Sequence, residues 1–557
     1  MKPKLRVGIF IDSYLVPDWE YTIIENIRNS HYAEICLIVV NAVDRRSFRY
    51  KLKRLWRNRG RMIFAMYKRL DDYFYKPYCN PDAFKKRDIR PLLLNSTFIE
   101  VLPVETRYCD YFDDISIKEI ENYSIDVFLR MGFRIMKGRV LNSARYGIWS
   151  YQHSDSMVAR GRPAGYWEVF RNIPVTGSVL QILTEGLDDG LTLYRSYAST
   201  YKVSPRINRN HYFLKSSYFV SKKLKELYDI GGDAFFAKVN EENVTPHFFS
   251  GKLSKPPGNL ISIFYAARQF YRAVRYLYLI SFTREQWFLK FSFSDNRIST
   301  SLRKFSSIIP PSDRFWADPH LQYHDGTYYI FIEEFIYRKG LGHISVIEMN
   351  KDGLYKNPVP VLTRPYHLSF PFVFRHDEVF YMIPESHHNR TIELYRSTSF
   401  PYEWEFVMNL MENVYAIDTT LMFHQNKWWM FTTIIEDINF KAWDELFIFH
   451  SEALFSRVWW PHNANPVVSD VSRARQAGRT FRYNGVIYRP SQNCSGRYGF
   501  GLKLNRIDVL DESAYRESEV SSIEPNWDNK IRGIHSFAYD KNLTVVDSLR
   551  RIKKLPG

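Results

Sequence analysis

The sequence of 557 residues has little cysteine and no long apolar run, and both scarcities exclude classes of protein. The four cysteines (Cys36, Cys79, Cys109, Cys494) are far apart and form no C-x-x-C pair, so we expect neither a disulfide framework nor a metal site. No stretch approaches the roughly 18 apolar residues that cross a bilayer. The first residues lack the apolar core of a signal peptide. We therefore expect a cytoplasmic protein, with peripheral contact to the inner face of the membrane as an open alternative.

The composition indicates a folded chain of more than one domain. Its length exceeds what one hydrophobic core organises. The hydrophobic fraction of 45% is that of a globular protein, and the aromatic fraction of 17% favours strands and sugar-stacking surfaces.

The net charge of +17 is concentrated in two stretches with apolar residues at helical spacing, near 50–75 and 260–280. In the second stretch, Arg268, Arg272 and Arg275 stand among Leu260, Phe264, Tyr271 and Val274. Nucleic acid, an anionic membrane surface and ordinary solvated helix faces are the three interpretations of such a pattern. No nucleic-acid-binding motif accompanies the charge, so we expect no nucleic acid partner.

The first half of the chain has the alternation of an α/β protein. Short apolar runs at 5–11 and 35–40 predict buried parallel strands with a helix near 18–29 between them. A strand near 98–102, a helix at 115–123, a strand at 126–130 and a helix at 211–230 continue the pattern. The alternation predicts a doubly wound sheet over residues 1–255, with a basic helical insert at about 50–75.

The segment 146–195 carries the clearest chemical signal of this half. His153 follows an apolar run, and the segment closes on Gly186-Leu187-Asp188-Asp189-Gly190. Two strands that end near one another can bring His153 and Asp188 together, and such a pair handles the proton when an amine or hydroxyl attacks a carbonyl.

This segment resembles the catalytic core of the folate-dependent formyltransferases, whose pattern is Asn-x-His, Arg-Gly, Thr-Gly and Gly-Leu-Asp-x-Gly. The resemblance covers about the first third of the chain and places His153 and Asp188 on the family's His and Asp, with Arg160 near its Arg-Gly. Tyr151 stands where the family has its oxyanion-binding Asn, and a phenol O–H is a similar donor. The resemblance implies 10-formyltetrahydrofolate as the donor, with Tyr151 and Asp188 assisting His153 in catalysis.

After residue 285 the chain consists of short aromatic strands in an internal repeat. Hairpin turns recur about every 50 residues, the spacing of propeller blades. They are expected at Asp325-Gly326, Asp377-Glu378, Asn426-Lys427, Asn484-Gly485 and Lys541-Asn542. The repeat predicts a five-bladed β-propeller over 285–557, joined to the first domain by a basic helical connector at 256–284.

The polar residues that open the repeats should converge at the propeller's channel. They are Asp318, Asp418, Arg479 and His535, and Glu385 ends a second strand. The region resembles the glycosidase-like domain of plant glucosamine inositolphosphorylceramide transferases, and its Trp-Ala-Asp-Pro opening resembles the first-blade aspartate of five-bladed glycoside hydrolases. The arginine suits sugar or anion binding better than acid catalysis, because it lowers the pKa of a neighbouring carboxylate.

Together these patterns predict a cytoplasmic transferase that moves a formyl group to an amino sugar or a lipid-linked glycan. The propeller would bind the glycan, or a sugar nucleotide, through Asp318, Glu385, Asp418, Arg479 and His535, and Arg160 would assist substrate binding. The alternatives are a glycan transferase with a non-folate donor and a glycan-binding scaffold without activity.

Overall fold

The computed structural model describes residues 2–43, 59–159, 161–186, 190–245, 254–294, 302–435 and 444–554. The chain forms two compact units, Met1–Ala273 and Val274–Gly557. The division falls within a helix, Asn259–Phe282, that begins directly after the predicted break at Lys255-Pro256-Pro257-Gly258.

Unit 1 contains twelve of the strands in the described residues. They are β1 (Leu5–Ile11), β2 (Leu15–Pro17), β3 (Ala33–Asn41), β4 (Lys86–Asp88), β5 (Thr97–Val101), β6 (Val104–Glu105), β7 (Cys109–Tyr111), β8 (Val127–Arg130), β9 (Ile135–Met136), β10 (Ile148–Gln152), β11 (Val175–Ile182) and β12 (Leu191–Ser199).

The described α-helices follow in chain order, and the last of them runs into unit 2. They are α1 (Asp18–Arg28), α2 (Met62–Tyr75), α3 (Asp114–Glu121), α4 (Tyr166–Arg171), α5 (Pro205–Ser216), α6 (Phe219–Ile230), α7 (Gly232–Glu242) and α8 (Asn259–Phe282).

The main sheet of unit 1 has seven strands in the order β12-β11-β10-β8-β1-β3-β5. Strands β5, β3, β1, β8 and β10 are parallel, whereas β11 and β12 are antiparallel. The sheet is thus mixed, and the predicted parallel pairing holds only for β1, β3, β5, β8 and β10. The strand order reverses between β1 and β8, and open α/β sheets bind ligands at the carboxyl ends of the strands at such a point.

The predicted helix over 211–230 is in fact two helices, α5 and α6. The hydroxyls of Ser216 and Ser217 donate to the carbonyls of Phe213 and Leu214, at 2.8 and 2.7 Å. Such back-bonding competes with the helical ladder, and α5 ends there.

Unit 2 continues with twenty strands in the described residues. They are β13 (Thr283–Phe293), β14 (Ser306–Ile308), β15 (Arg314–His324), β16 (Thr327–Ile336), β17 (Leu341–Met349), β18 (Val359–Leu362), β19 (Ser369–His376), β20 (Val379–Ser386), β21 (Thr391–Ser399), β22 (Glu403–Glu412), β23 (Ala416–His424), β24 (Lys427–Ile434), β25 (Phe447–Ser451), β26 (Trp460–Pro461), β27 (Phe481–Tyr483), β28 (Val486–Asn493), β29 (Gly501–Leu510), β30 (Tyr515–Ile523), β31 (Phe537–Asp540) and β32 (Leu543–Lys553).

These strands form five antiparallel sheets of four strands each. Four sheets are built from consecutive strands: β15 to β18, β19 to β22, β23 to β26 and β27 to β30. The remaining sheet has the order β14-β13-β32-β31, so it joins the first strands of the unit to the last.

Apolar side chains fill the space between neighbouring sheets. One cluster joins Leu289 and Val545 to Trp316 and Ile330, which links the sheet of β13 and β32 to that of β15. Further clusters link each following sheet to the next and the last one back to the sheet of β31. This face-to-face packing around a ring is the propeller architecture.

Candidate functional site

The centre of unit 2 holds a histidine between two carboxylates. Nε2 of His535 lies 3.2 Å from Oδ1 of Asp318, and its Nδ1 lies 2.6 Å from Oδ2 of Asp547. All three residues are buried; His535, Asp318 and Asp547 are 2%, 4% and 0% exposed. Burial lowers the pKa of His535, but the Asp547 and Asp318 carboxylates outweigh it and raise the pKa to about 9. The ring is therefore an imidazolium at neutral pH.

The carboxylates are fixed by further contacts. Ser536 donates its hydroxyl to Asp318 at 2.7 Å, and the backbone N–H of Asp318 donates to Asp547 at 3.1 Å. The indole of Trp287 lies over the His535 ring with a centroid distance of 4.0 Å. The trio is consequently held in one geometry before any ligand binds.

A bulge in the first strand of two of the sheets places these carboxylates. The pairing of β15 with β16 shifts between Ala317 and His320, and the pairing of β23 with β24 shifts between Ile417 and Thr420. Asp318 and Asp418 stand in these shifts with φ of +51° and +52°. Aspartate tolerates this left-handed conformation better than most residues, because its short side chain bonds locally. The repeat thus delivers an aspartate to the same place on two sheets.

Glu385 and Asp418 form the second half of the cluster. Nδ1 of His387 lies 2.7 Å from Oε1 of Glu385, and the Asp418 backbone N–H donates to Oε2 of Glu385 at 3.1 Å. Arg475 forms a two-pronged ion pair with Asp418, and Gln492 donates to Asp418 at 2.9 Å. The arginine that contacts these carboxylates is therefore Arg475, whereas the sequence predicted Arg479.

The electrostatics of the cluster do not suit Glu385 to acid catalysis. Burial would raise the pKa of Glu385, but His387 and Arg475 lower it to about 2, so this carboxylate stays ionised. Burial does raise the pKa of Asp318, with the His535 charge opposing the rise. Burial likewise raises the pKa of Asp418 against the charge of Arg475. A glycoside hydrolase needs one carboxyl that is protonated and free to reach the glycosidic oxygen.

The less buried side of the cluster carries three histidines. Nε2 of His367 lies 3.2 Å from Glu333, while its Nδ1 accepts the Gly342 N–H at 2.9 Å. Burial lowers the pKa of His367, but the Glu333 carboxylate outweighs it and raises the pKa. The bond from Gly342 opposes this rise, because it needs the Nδ1 lone pair of a neutral ring. The ring of His388 lies 4.1 Å from that of His387 and 5.6 Å from that of His367. These rings supply further polar groups around the carboxylates.

A cation could also bind to Asp318, His535 and Asp547, because one ligand atom of each residue lies within 4.8 Å of the others. A divalent ion would have to displace the proton on the His535 ring nitrogen that it binds. We assign the trio as a charged hydrogen-bonding group.

The structure separates Arg479 from this cluster. Its guanidinium donates to the Val373 carbonyl and lies 5.7 Å from the Phe372 ring. It lines a small cavity with His320 and Phe481. The Trp316 indole donates to Glu334 at 3.2 Å within the core. The prediction that Arg479 lies at the centre was wrong because the segment before β27 is irregular. Without the two-residue period of a strand, the direction of a side chain there does not follow from the sequence.

In unit 1, His153 lies in an aromatic box. Its ring is stacked on Phe213 at 3.8 Å and on Tyr151 at 5.1 Å, with Trp19 edge-on at 4.8 Å. Among the described residues, neither ring nitrogen has a hydrogen-bond partner. Burial, together with the charge of Arg209, lowers the pKa of His153 to about 3, so the ring is neutral.

The other residues implied by the formyltransferase resemblance do not complete a donor site. The Tyr151 hydroxyl donates to the Ser216 carbonyl at 2.6 Å, so it is not available to an oxyanion. Asp188 and Arg160 lie outside the described residues. Two of the residues that the resemblance assigns to the donor site are thus not described, and we derive no step through 10-formyltetrahydrofolate.

A group that the sequence did not single out lies at the carboxyl end of β1. Asp12 accepts from the Asn41 amide at 2.8 Å and from the Phe133 N–H at 2.9 Å. Burial raises the pKa of Glu20, on α1, to about 8, with Lys86 opposing the rise and Asp12 adding to it. A carboxyl that is neutral at pH 7 beside the reversal in strand order is a candidate proton donor. The sequence gives no signal for Glu20, because it falls within an ordinary helical pattern.

The functional residues that sequence reasoning missed in unit 2 are Asp547, Arg475, Gln492, His367 and His387. Asp547, Arg475, His367 and His387 have no sequence signal beyond their residue type. Asp547 lies on β32 and meets Asp318 across 229 positions of sequence, a separation that leaves no local pattern.

The fold and this cluster define unit 2 as a propeller with a charged centre of carboxylates, imidazoles and a guanidinium. Residues 297–544 match the protein family described as "Glucosamine inositolphosphorylceramide transferase 1, N-terminal". A protein of that name from Oryza sativa subsp. japonica is 34% identical over 210 residues, which are 37% of this chain and 28% of that protein. Its counterpart from Arabidopsis thaliana is 32% identical over 232 residues, which are 41% of this chain and 30% of that protein. The aligned region thus spans less than a third of either relative.

Two solved structures are similar to parts of the chain. The catalytic domain of the Coprinopsis cinerea GH62 alpha-L-arabinofuranosidase covers 43% of this chain and 93% of its own, with 12% identity and a TM-score of 0.32. Glycinamide ribonucleotide transformylase 1 from Symbiobacterium toebii covers 40% of this chain and 87% of its own, with 14% identity and a TM-score of 0.27. The two plant relatives are named transferases, and neither name refers to formyl transfer. The predicted formyl transfer therefore has no support from these relatives.

Proposed function

We propose that unit 2 binds a carbohydrate at the charged centre of its propeller, and that the chain serves a transferase reaction on carbohydrate or glycolipid substrates. In this proposal the five sheets are five blades around one axis, with β15, β19, β23, β27 and β31 innermost. The observation that carries it is the convergence of Asp318, Glu385 and Asp418 from three sheets onto one cluster.

The chemistry of the cluster favours sugar recognition. Carboxylates accept hydrogen bonds from sugar hydroxyls, and charge-assisted bonds of this kind are about twice as strong as neutral ones. The His535 imidazolium pairs with Asp318 and the Arg475 guanidinium pairs with Asp418, so both acceptors are fixed in place. Binding is favoured over hydrolysis because Glu385, the candidate acid, remains ionised at neutral pH.

The names of the plant relatives supply the substrate class. They combine glucosamine, inositolphosphorylceramide and transfer, so amino sugars and phosphorylated inositol headgroups are the ligands to test first. These names favour the alternative of a glycan transferase with a non-folate donor over formyl transfer.

Calorimetry on the full chain tests the proposal with glucosamine, myo-inositol 1-phosphate and a neutral disaccharide. We expect at least one to bind, and Asp318→Asn to weaken that binding by about tenfold or more, since a hydrogen bond to a charged group contributes about 1.5–3 kcal/mol. Asp377→Asn is the matched control, because Asp377 has a similar φ of +45° and a side chain 87% exposed in a hairpin turn.

Binding of none of the three ligands, or equal binding by Asp318→Asn and the wild type, contradicts the proposal. If Asp318→Asn loses its near-UV circular dichroism, His387→Gln replaces it, because His387 is only partly buried and contacts Glu385.

A further inference from the structure

Helix α8 buries polar side chains and exposes apolar ones, the opposite of the usual arrangement. Over residues 259–273, the side that packs on the protein carries Ser262, Gln269 and Arg272, whereas the outward side is apolar. Surface helices of soluble proteins bury their apolar stripe and expose the polar one. A helix with the opposite arrangement indicates that something apolar covers its outer side.

The inward contacts of α8 are one aromatic contact, Tyr265 stacked on Phe170 at 4.4 Å, and several specific polar bonds. The Gln269 amide donates to the Lys202 carbonyl at 3.1 Å. Arg268 and Arg272 donate to the carbonyls of Phe170 and Val169 at 3.1 and 3.0 Å, at the end of α4. These bonds fix the rotation of the helix about its axis, so the apolar residues cannot turn inward.

The outward residues of α8 are large and well exposed. Their exposed fractions are 83% for Leu260, 52% for Ile261, 50% for Ile263, 63% for Phe264, 74% for Phe270 and 63% for Tyr271.

Helix α2 adds apolar side chains beside α8. The Asn259 side chain at the start of α8 accepts the Ile63 N–H at 3.1 Å, and both helices pack on Tyr166 and Phe170 of α4. Helix α2 buries Asp71 at 5% exposure and exposes Met62 at 63% and Met66 at 57%. We call the outward side chains of α8 (259–273) and α2 the outer face.

The charges near the outer face select its occupant. Residues 259–282 contain three arginines and no Asp or Glu, in a chain of net charge +17. Arg268 and Arg272 bond inward to α4, whereas Arg275 is exposed. Among the described residues, no helix combines the length and apolarity needed to cross a bilayer. A helix with an apolar side, arginine and no acidic residue fits the headgroup region of an anionic membrane.

We propose that the outer face docks on an anionic lipid bilayer, with Leu260, Phe264 and Phe270 inserted among the lipid chains. The docking proposal rests on α2 and α8 alone and does not depend on the carbohydrate proposal. It is consistent with a lipid-borne substrate, because a docked protein meets such a substrate at the same surface.

Vesicle flotation of the full chain tests the docking. We expect binding to phosphatidylcholine vesicles that contain phosphatidylserine, weaker binding without phosphatidylserine, and a decline with added salt. The double variant Leu260→Ser with Phe270→Ser should partition at least about tenfold less, since it removes two large apolar contacts. The control is Leu94→Ser with Ile115→Ser, because these side chains are 83% and 80% exposed on unit 1 outside the outer face.

Equal flotation of the two double variants overturns the proposal, as does absence of binding to the anionic vesicles. Light scattering measures the oligomeric state and so tests whether a second copy of the chain covers the outer face. A wild-type dimer that becomes a monomer only in the Leu260→Ser, Phe270→Ser variant would assign the outer face to a second copy of the chain and overturn the membrane assignment.

Discussion

At the scale of single residues, His535 is the group whose charge state decides the most. It stands between Asp318 and Asp547, buried beneath Trp287, and as a cation it balances two carboxylates that would otherwise repel each other. Loss of its proton would leave buried negative charge without compensation, which is among the costlier events in a protein interior.

We therefore expect the stability of unit 2 to fall as the pH rises from neutral to above 9. The folded pKa of His535 is about 9, above the ordinary 6.5, so its stabilisation is complete below about pH 6.5 and is lost as the pH passes through 9. The difference amounts to as much as about 3 kcal/mol. Unfolding in urea at pH 6.5 and pH 9.5 measures it, with His535→Gln as the comparison. Equal pH dependence in the two proteins would show that the ring does not titrate in this way.

Some residues of the charged centre could be predicted from the sequence, and one arginine could not. The repeat predicts Asp318 and His535 at the centre because each opens a repeat, and the structure brings them within 3.2 Å. The same rule selects Arg479, but Arg475 is the arginine that meets Asp418. A repeat locates a residue only while the strand period holds, and it does not hold in the irregular segment before β27.

At the scale of elements, the hairpins are the part of the fold that local sequence specifies. The turns at Asp325-Gly326, Asp377-Glu378, Asn484-Gly485 and Lys541-Asn542 lie between consecutive strands as predicted, and the remaining turn is displaced by one residue to Gln425-Asn426. Positive φ at these turns and the Gly and Asn residues that permit it are local properties. The inverted polarity of α8, in contrast, depends on which side meets α4, and its sequence pattern leaves that undecided.

Arg489 is a structural residue of the sheet formed by β27 to β30. Its guanidinium, fully buried, donates to Glu517 at 2.8 and 2.7 Å, to the Gln476 side chain at 2.8 Å and to backbone carbonyls. Arg489 holds β28 to β30 and to the segment before β27, and it lies outside the charged centre.

We expect Arg489→Leu to lower the free energy of unfolding by about 3–5 kcal/mol, because it leaves Glu517 buried without its partner. Arg489→Lys should lose much of that stability too, since an ammonium cannot make the two-pronged bond. Arg506→Leu on β29 is the control; its side chain is 50% exposed and pairs with Asp508, so its loss should cost less than about 1 kcal/mol. Chemical denaturation compares the three variants, and equal losses for Arg489→Leu and Arg506→Leu would contradict this role.

At the scale of the whole molecule, unit 2 is closed by pairing between its two ends. Strand β32 pairs with β13 along eleven positions, from Thr283 with Lys553 to Phe293 with Leu543. The sequence indicates five repeats but not this sharing of one sheet, because partners so far apart along the chain leave no local pattern.

Removal of residues 541–557 should therefore unfold unit 2. The truncation deletes β32, which lies between β13 and β31, and with it Asp547 of the charged centre. Near-UV circular dichroism and limited proteolysis should show loss of fixed packing over residues 302–540, whereas removal of 555–557 alone should change neither. A compact, protease-resistant unit 2 after the longer truncation would show that the pairing of the ends is dispensable.

The shared sheet also imposes an order on biosynthesis. On the ribosome, β13 and β14 can pair with each other, but the other edge of β13 stays open until β32 follows about 250 residues later. A topology with such long-range contacts folds slowly, and an unpaired strand edge invites association with other chains in the interval. We expect the nascent chain to depend on chaperones until Leu543–Lys553 is released, after which the ring closes in one cooperative step.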